Sequence, residues 1–109
     1  MVNVELRATE LIQQIGIPAN LKGYNYTRTA IMLAVEDFTL IDRMTKGLYP
    51  AVAEVHNTTP TRVERAIRHS VDAAWERRAL QNMFPHGKPI NSELIATLAD
   101  KIRLEVKGG

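Results

Sequence analysis

The sequence predicts a compact all-α domain, and three observations lead to that fold class. Apolar residues recur mostly at spacings of three and four along the 109-residue chain, which is the period of one helix face. No segment alternates apolar and polar residues for long in the manner of a strand. The length of the chain and its 45% hydrophobic content suit one domain with one core. We therefore expect residues 1–109 to form a single domain.

Start and stop signals delimit the first two helices. Asn3 is the expected N-cap of the first helix, and Gly16 with Pro18 is expected to end it. Its apolar stripe consists of Leu11, Ile12 and Ile15. A second helix is predicted from Tyr24 to about Asp37. Its apolar positions are Ile31, Ala34, Val35 and Phe38.

A third helix is predicted from Leu40 to Leu48, or on to His56, with one ambiguity inside it. Pro50 lacks a backbone N–H, so it either kinks this helix or stands in the first turn of a new one. The segment around Val52 and Ala53 is expected to be helical in both cases.

The helix that follows Pro60, predicted to reach Arg78, begins at the clearest start signal in the chain. Thr59 can cap it, and Pro60 at the first helical position gives up no hydrogen bond. Asn57 stands at the turn before it, where a left-handed backbone is tolerated. The apolar face of this helix is formed by Val63, Ala66, Ile67, Ser70, Val71, Ala74 and Trp75. A short helix, a tight turn and a basic amphipathic helix together predict a helix-turn-helix.

The last helix is predicted after a loop marked by Pro85, Gly87 and Pro89. Asn91 or Ser92 is its expected cap, and it should end near Glu105. Its buried side should be formed by Leu94, Ile95, Leu98, Ala99 and Ile102.

Composition excludes several functional classes. There is no cysteine, so disulfides, thiolate metal sites and cysteine nucleophiles are excluded. No apolar run approaches the roughly 20 residues that cross a bilayer, and the N-terminal segment lacks the features of a signal peptide. We therefore expect a soluble protein in the cytoplasm without membrane attachment. The formal net charge of +2 says little until the basic residues are located on one face.

The helix after Pro60 gathers arginines on its outward side. Thr61, Arg65, Arg68 and Asp72 lie opposite the apolar face, and Arg62, Glu64 and His69 flank them. An arginine can donate two hydrogen bonds to guanine, and a glutamate can accept one from cytosine, which makes the mixture suited to reading bases in the major groove. The alternative is an ordinary solvated helix face, and spacing alone does not separate the two.

The segment NTTPTRVERAIRHSVDAAWERR, with LYPAVAEVHN before it and KPINSELIATLADKIRLEVK after it, carries a family resemblance. Together with IGIPANLKGYNYTRTAI, these runs closely resemble the C-terminal effector domains of the sporulation stage 0 response regulators, transcription factors of endospore formation in Firmicutes. The resemblance implies a bundle of about six helices with a helix-turn-helix. It also implies binding to double-stranded DNA with a GTCGAA-like box, often as two copies on tandem boxes, and regulation of sporulation-type genes.

Site residues follow from the same resemblance. It assigns bases to Arg65 and Arg68, and it assigns Glu64 either a base or an orienting pair with an arginine. Arg62 and His69 are expected on phosphates. The full set of expected DNA-binding residues is Thr61, Arg62, Glu64, Arg65, Arg68, His69, Lys88, Asn91 and Ser92, of which the last three match the KPTNSE stretch of the family and would add phosphate contacts.

The chain departs from the family in two respects. It has no receiver domain, so it is either an excised effector domain or a stand-alone relative. Its connection ALQNMFPHGKPI before the last helix is shorter than the usual family segment. Because that segment helps the family contact the sigma factor of RNA polymerase, DNA binding should survive the shortening, whereas activation through that surface stays open.

The sequence also bears on two other classes of function, an enzyme and a protein-interaction module. An enzyme is not expected, because the three histidines have no metal-ligand spacing and there is no phosphate-binding glycine loop or nucleophile elbow. No cofactor or metal is expected either. A helical protein-interaction module remains the alternative, with Met83 and Phe84, in the loop, as candidate contacts. Trp75 is expected in the core, and Tyr24 and Tyr26 lie either near phosphate or as caps on the bundle.

Overall fold

The computed structural model describes residues 2–108, and within them the chain forms six α-helices and no strand. This confirms the all-α class and the number of helices. In chain order the α-helices are α1 (Val4–Gln14), α2 (Lys22–Glu36), α3 (Tyr49–Val55), α4 (Pro60–Glu76), α5 (Ala79–Met83) and α6 (Asn91–Gly108).

Helix α2 is the central element, because it packs against α1, α4 and α6. The core between these helices contains Leu11, Ile31, Ile67, Leu98 and Ile102, all with no exposed surface. Burial of each such side chain contributes roughly 1.5–3 kcal/mol to folding. Trp75, expected in this core, is only half-buried at its edge.

Local signals explain where the first helices begin and end. The Asn3 side chain accepts a hydrogen bond from the Leu6 N–H at 3.0 Å, which confirms it as the N-cap of α1. Gly16 follows that helix with φ +88°, a conformation that glycine adopts without strain. Helix α2 begins two residues earlier than predicted, at Lys22.

The predicted α-helix from Leu40 to Leu48 is wrong. Phe38–Arg43 forms a 3₁₀ helix and Met44–Leu48 a π-helix, which leads directly into α3. Asp37 caps the 3₁₀ helix by accepting from the Thr39 N–H at 3.1 Å. Of the two roles considered for Pro50, the structure has the second, because Pro50 stands in the first turn of α3.

The end of α4 and the connection to α6 also differ from the prediction. Helix α4 ends at Glu76, and Arg78 adopts a left-handed φ of 69°, which turns the chain into the short helix α5. Met83 therefore ends a helix and does not lie in a loop, and both Met83 and Phe84 are half-buried against the core. Helix α6 starts at Asn91, so the residue before it is Ile90, and the predicted caps Asn91 and Ser92 lie inside the helix.

Candidate nucleic-acid interface

The turn between α3 and α4 is fixed by backbone hydrogen bonds and by one side chain. The Thr58 N–H donates to the Ala53 carbonyl at 3.0 Å, and Asn57 takes the left-handed conformation at φ 52°. The Thr59 hydroxyl accepts from the Arg62 N–H at 3.3 Å and caps α4, as predicted. Val63 is fully buried, so α4 leaves the turn with one side packed into the bundle and the other in solvent. This is the arrangement of a helix-turn-helix.

The solvent side of α4 carries two neighbouring rows of side chains. We call Arg62, Arg65 and His69 the open edge, and Glu64, Arg68 and Asp72 the paired edge, because residues three or four apart lie side by side on a helix. All three residues of the open edge are exposed. Within residues 2–108, none of their side chains takes part in a hydrogen bond or salt bridge. The open edge therefore presents its cationic and ring N–H donors to solvent.

The paired edge is occupied by two ion pairs. Arg68 Nε lies 3.2 Å from Glu64 Oε1, one helical turn away. Lys88, from the loop before α6, places its Nζ 2.6 Å from Asp72 Oδ1. These side chains are 36–60% exposed, so the pairs orient the charges more than they stabilise the fold.

A groove of about 620 Å³ runs along the paired edge. The π-helix supplies Met44 and Thr45 to its wall, and the start of α6 supplies Ser92. Ile90, with 65% of its surface exposed, lies at the same groove. Because Lys88 and Ser92 both line it, two polar groups predicted to contact phosphate lie beside the paired edge.

Asn91 differs from the other predicted contact residues in its surroundings. Its side chain is buried, and its Nδ2 donates to the Tyr49 hydroxyl at 3.0 Å and to the Glu64 carbonyl at 3.2 Å. Burial raises the pKa of Tyr49 above its ordinary value, and the hydrogen bond from Asn91 works in the opposite direction. Asn91 thus ties the start of α6 to α3 and to the backbone of α4.

The other flank of α4, beyond the open edge, contacts the start of α2. Gly23 packs so closely against this flank that a methyl group added to it would overlap the Ser70 hydroxyl and the Ala66 carbonyl. The Ser70 hydroxyl donates to that same carbonyl at 2.9 Å. Helix α4 is therefore held between α2 on one flank and the start of α6 on the other.

The structure brings most of the predicted residues to one surface. Thr61, Arg62, Arg65, Arg68, His69 and Lys88 are exposed, Glu64 and Ser92 are partly exposed, and Asn91 is buried. Sequence reasoning missed Asp72 as the partner of Lys88, because the two residues are sixteen positions apart and only the tertiary fold brings them together. It also missed Gly23, since nothing in a single sequence distinguishes a glycine at a helix crossing from any other near a helix start.

No helix in residues 2–108 is long and apolar enough to cross a membrane. The same residues contain no group of three or more histidine, aspartate or glutamate side chains placed to hold a metal ion.

Comparison with known protein families gives a match over most of the chain. The family model described as "Sporulation initiation factor Spo0A C terminal" matches residues 8–102. The matched range extends from within α1 to the fourth turn of α6 and contains the whole helix-turn-helix.

Proposed function

The chain belongs to the family of sporulation initiation factor Spo0A C-terminal domains, which makes it a DNA-binding effector domain of a sporulation regulator, and from that premise we propose sequence-specific binding of double-stranded DNA. In this proposal α4 enters the major groove, and the chain regulates transcription of sporulation-type genes in the cytoplasm. The observation that carries the proposal is the open edge, where two arginines and a histidine on the first three turns of α4 are exposed and have no partner among residues 2–108.

Arg65 is the residue to which we assign the main base contact. It lies in the middle of the solvent side of α4, opposite the buried row that contains Val63 and Ile67. A free guanidinium at that place can donate two parallel hydrogen bonds to guanine O6 and N7. Arg62 and His69, on either side of it along the open edge, are assigned to phosphates.

Arg68 and Glu64 are assigned to bases as a pair. The 3.2 Å contact holds the guanidinium over the first half of α4, so Arg68 would enter the groove already oriented. Glu64 keeps enough exposure, 36% of its side chain, to accept a hydrogen bond from cytosine N4. Thr61 stands exposed at the first turn of the helix, where the recognition helix of this motif is closest to the bases.

Lys88 and Ser92 are assigned to the phosphate backbone along the groove beside the paired edge. Asn91 is removed from the set of direct contacts, because its amide hydrogens are used inside the protein. We assign it to positioning α4, through the Glu64 carbonyl.

The target and partners follow from the family resemblance. We propose a GTCGAA-like box as the DNA target and two copies of the chain on tandem boxes. Contact with the sigma factor of RNA polymerase would use the segment 79–90, which here consists of α5 and one short loop.

Fluorescence anisotropy tests the proposal directly. A labelled duplex with the GTCGAA-like box is compared with a scrambled duplex at two salt concentrations. We expect tighter binding to the box, with the preference kept at the higher salt. Arg65→Ala should then lose about 1–3 kcal/mol on the box and relax the preference at particular base pairs.

The other outcomes decide against the proposal. Equal and salt-sensitive binding to both duplexes would indicate a basic helix that does not read sequence. Binding to neither duplex would favour the protein-interaction module, with the exposed apolar residue Ile90 as its first candidate contact.

A further inference from the structure

The flank of α4 beyond the open edge is completed by a residue of α2. Gly23 lies against the Ala66 carbonyl and the Ser70 hydroxyl, and the absence of a side chain there lets α2 approach the backbone of α4. Ala66 is four residues after Arg62 and three before His69, so it adjoins the open edge on the helix surface. The residue that precedes Gly23 is therefore carried to the margin of the solvent side of α4.

That residue is Lys22, the first residue of α2, and it is exposed. Within residues 2–108 its ammonium group takes part in no salt bridge and no hydrogen bond. Lys88, at the opposite flank, is by contrast held by Asp72 at 2.6 Å. Among residues 2–108, Lys22 is thus an unpaired cation at the start of the helix that contacts this flank of α4.

The backbone that carries Lys22 is well fixed. Tyr24, two residues on, is buried, and its hydroxyl accepts from Gln13 Nε2 at 3.0 Å. The Arg28 guanidinium covers the ring of Tyr24 at 5.6 Å. Tyr26 packs edge-on against His56 with ring centroids 5.0 Å apart. The tyrosines of this segment therefore hold the start of α2 in place, while Lys22 extends into solvent.

We propose that Lys22 binds a DNA phosphate on the strand opposite to the one contacted from Lys88 and Ser92. The major groove is about 12 Å wide and bounded by two phosphate strands. A helix lying in it has one strand along each flank. Lys88 and Ser92 lie along the paired edge, and Lys22 lies beyond the open edge, so together they would hold α4 from both sides of the groove.

This inference rests on the proposed DNA binding and adds to it a contact that carries no sequence information. One phosphate contact changes the slope of log affinity against log salt by about 0.9. At about 0.15 M salt, that slope corresponds to a loss of about five-fold in affinity. The loss should be the same for every sequence, because phosphates are common to all of them.

The test compares Lys22→Met with Lys107→Met, using anisotropy titrations of the box and scrambled duplexes over a range of salt. Both variants lose one exposed lysine. Lys107 lies sixteen residues after the start of α6, roughly 24 Å along that helix, well beyond the screening length of about 8 Å. We expect Lys22→Met to bind both duplexes about five-fold more weakly, with a shallower salt slope, and Lys107→Met to resemble the unchanged protein. Lys22→Arg should retain the slope.

The outcomes separate this inference from the proposal beneath it. If the unchanged protein prefers the box, but Lys22→Met keeps its affinity and slope or matches Lys107→Met, the Lys22 contact is refuted and sequence-specific binding stands. If the unchanged protein shows no preference, sequence-specific reading fails, while a slope change confined to Lys22→Met would still support the contact. Binding to neither duplex refutes both.

Discussion

Arg65 and Arg68 stand three residues apart on the same helix, but only one of them has a partner. Arg65, on the open edge, has no salt bridge among residues 2–108, while Arg68, on the paired edge, is bound to Glu64 at 3.2 Å. A free guanidinium must lose side-chain entropy when it binds DNA. A paired one is already oriented but shares its charge with an acid. One helix can therefore present arginines for two kinds of contact, one through a free side chain that adapts to its target and one through a side chain that is already oriented.

The same contrast extends to the neighbours of the two edges. Beside the paired edge, Lys88 is bound to Asp72, and Asn91 is bound to the backbone of Glu64. Beside the open edge, the contact with α2 at Gly23 is a matter of steric fit and leaves Lys22 free. Polar contacts thus control the charge on one flank, and packing controls the position on the other.

The largest effect is expected from Gly23→Ala, which breaks the packing on the open-edge flank. The added methyl group would overlap the Ala66 carbonyl, a backbone atom that cannot rotate away. We expect a loss of about 3 kcal/mol in the free energy of unfolding, typical of overpacking, measured by urea denaturation. Gly47→Ala is the matched control, because its methyl group would lie 3.1 Å or more from side-chain atoms of Arg43 and Leu40.

Removal of the Ser70 hydroxyl should restore only part of that stability. The double variant Gly23→Ala, Ser70→Ala relieves one of the two overlaps but keeps the overlap with the Ala66 carbonyl. Full recovery in the double variant, or no loss in Gly23→Ala, would show that α2 does not approach the backbone of α4 this closely.

The second effect concerns the anchor of the paired edge. Asn91→Ala leaves the Glu64 carbonyl and the Tyr49 hydroxyl without their donor, which should cost about 1–3 kcal/mol of stability. The salt slope of DNA binding should not change, because this side chain makes no phosphate contact in the proposal. Thermal unfolding and anisotropy measure the two quantities.

Ser92→Ala serves as the counterpart on the neighbouring residue. Its hydroxyl has no hydrogen-bond partner within residues 2–108, and it lines the groove. We expect weaker DNA binding with little change in stability, the reverse of Asn91→Ala. If Asn91→Ala flattened the salt slope while its stability stayed intact, the original expectation of a phosphate contact would be restored.

Asn91 also shows a limit of prediction from the sequence, which does not give the direction of each polar side chain. The KPINSE stretch resembles the family segment closely enough to identify a site, but a resemblance does not tell which of three adjacent polar residues turns inward. That depends on the angle at which α6 meets α4, which tertiary packing sets. Thr59 and Asn3, by contrast, were correctly predicted as caps, since a cap bonds only to residues two or three positions on.

The region between α2 and α3 illustrates a second limit. The spacing of Leu40, Ile41, Met44 and Leu48 resembles an α-helix, and the chain there is helical. The structure nevertheless has a 3₁₀ helix there, followed by a π-helix. These forms share short-range apolar spacing with the α-helix, so periodicity could predict a helix but not its pitch.

The third effect concerns the ion pair that Asp72 of the paired edge forms with Lys88. Asp72→Asn removes an acid from the solvent side of α4 and frees Lys88. We expect every duplex to bind more tightly, by up to about five-fold near 0.15 M salt, with a steeper salt slope, because Lys88 no longer shares its charge with Asp72 when it binds phosphate. Glu76→Gln, one turn further along α4 and exposed, is the charge-matched control.

A double variant assigns the effect to Lys88. Adding Lys88→Met to Asp72→Asn should give the affinity and the slope of Lys88→Met alone, because Asp72 then has no cation to release. Tighter binding that persists without Lys88 would mean that Asp72 acts by repelling phosphate directly. Equal effects of Asp72→Asn and Glu76→Gln would mean that only the net charge matters.

The smallest effect is expected at an ion pair between α1 and α6. There we expect a change in stability and no change in DNA binding. Arg7 binds Glu105 with two hydrogen bonds of 2.8 and 3.0 Å and joins α1 to α6. The hydrogen bond from Arg7 lowers the pKa of Glu105 below its ordinary value. A carboxylate whose pKa is lower in the folded state stabilises the fold above its unfolded pKa of about 4.3, and that contribution is lost as the pH falls through the lowered value. Glu105→Gln should therefore unfold at a lower temperature than the unchanged protein at pH 7, and the difference should become smaller as the pH falls below about 4.3. Glu10→Gln, which removes a longer contact of 3.8 Å to the same arginine, should change the unfolding temperature less.

DNA binding at pH 7 should be unaffected by Glu105→Gln. Asp72→Asn should give the opposite result, because it changes DNA binding. It should leave the unfolding temperature almost unchanged, since its ion pair is half exposed. A pH-independent difference for Glu105→Gln would show that packing, and not the charge of this pair, joins α1 to α6.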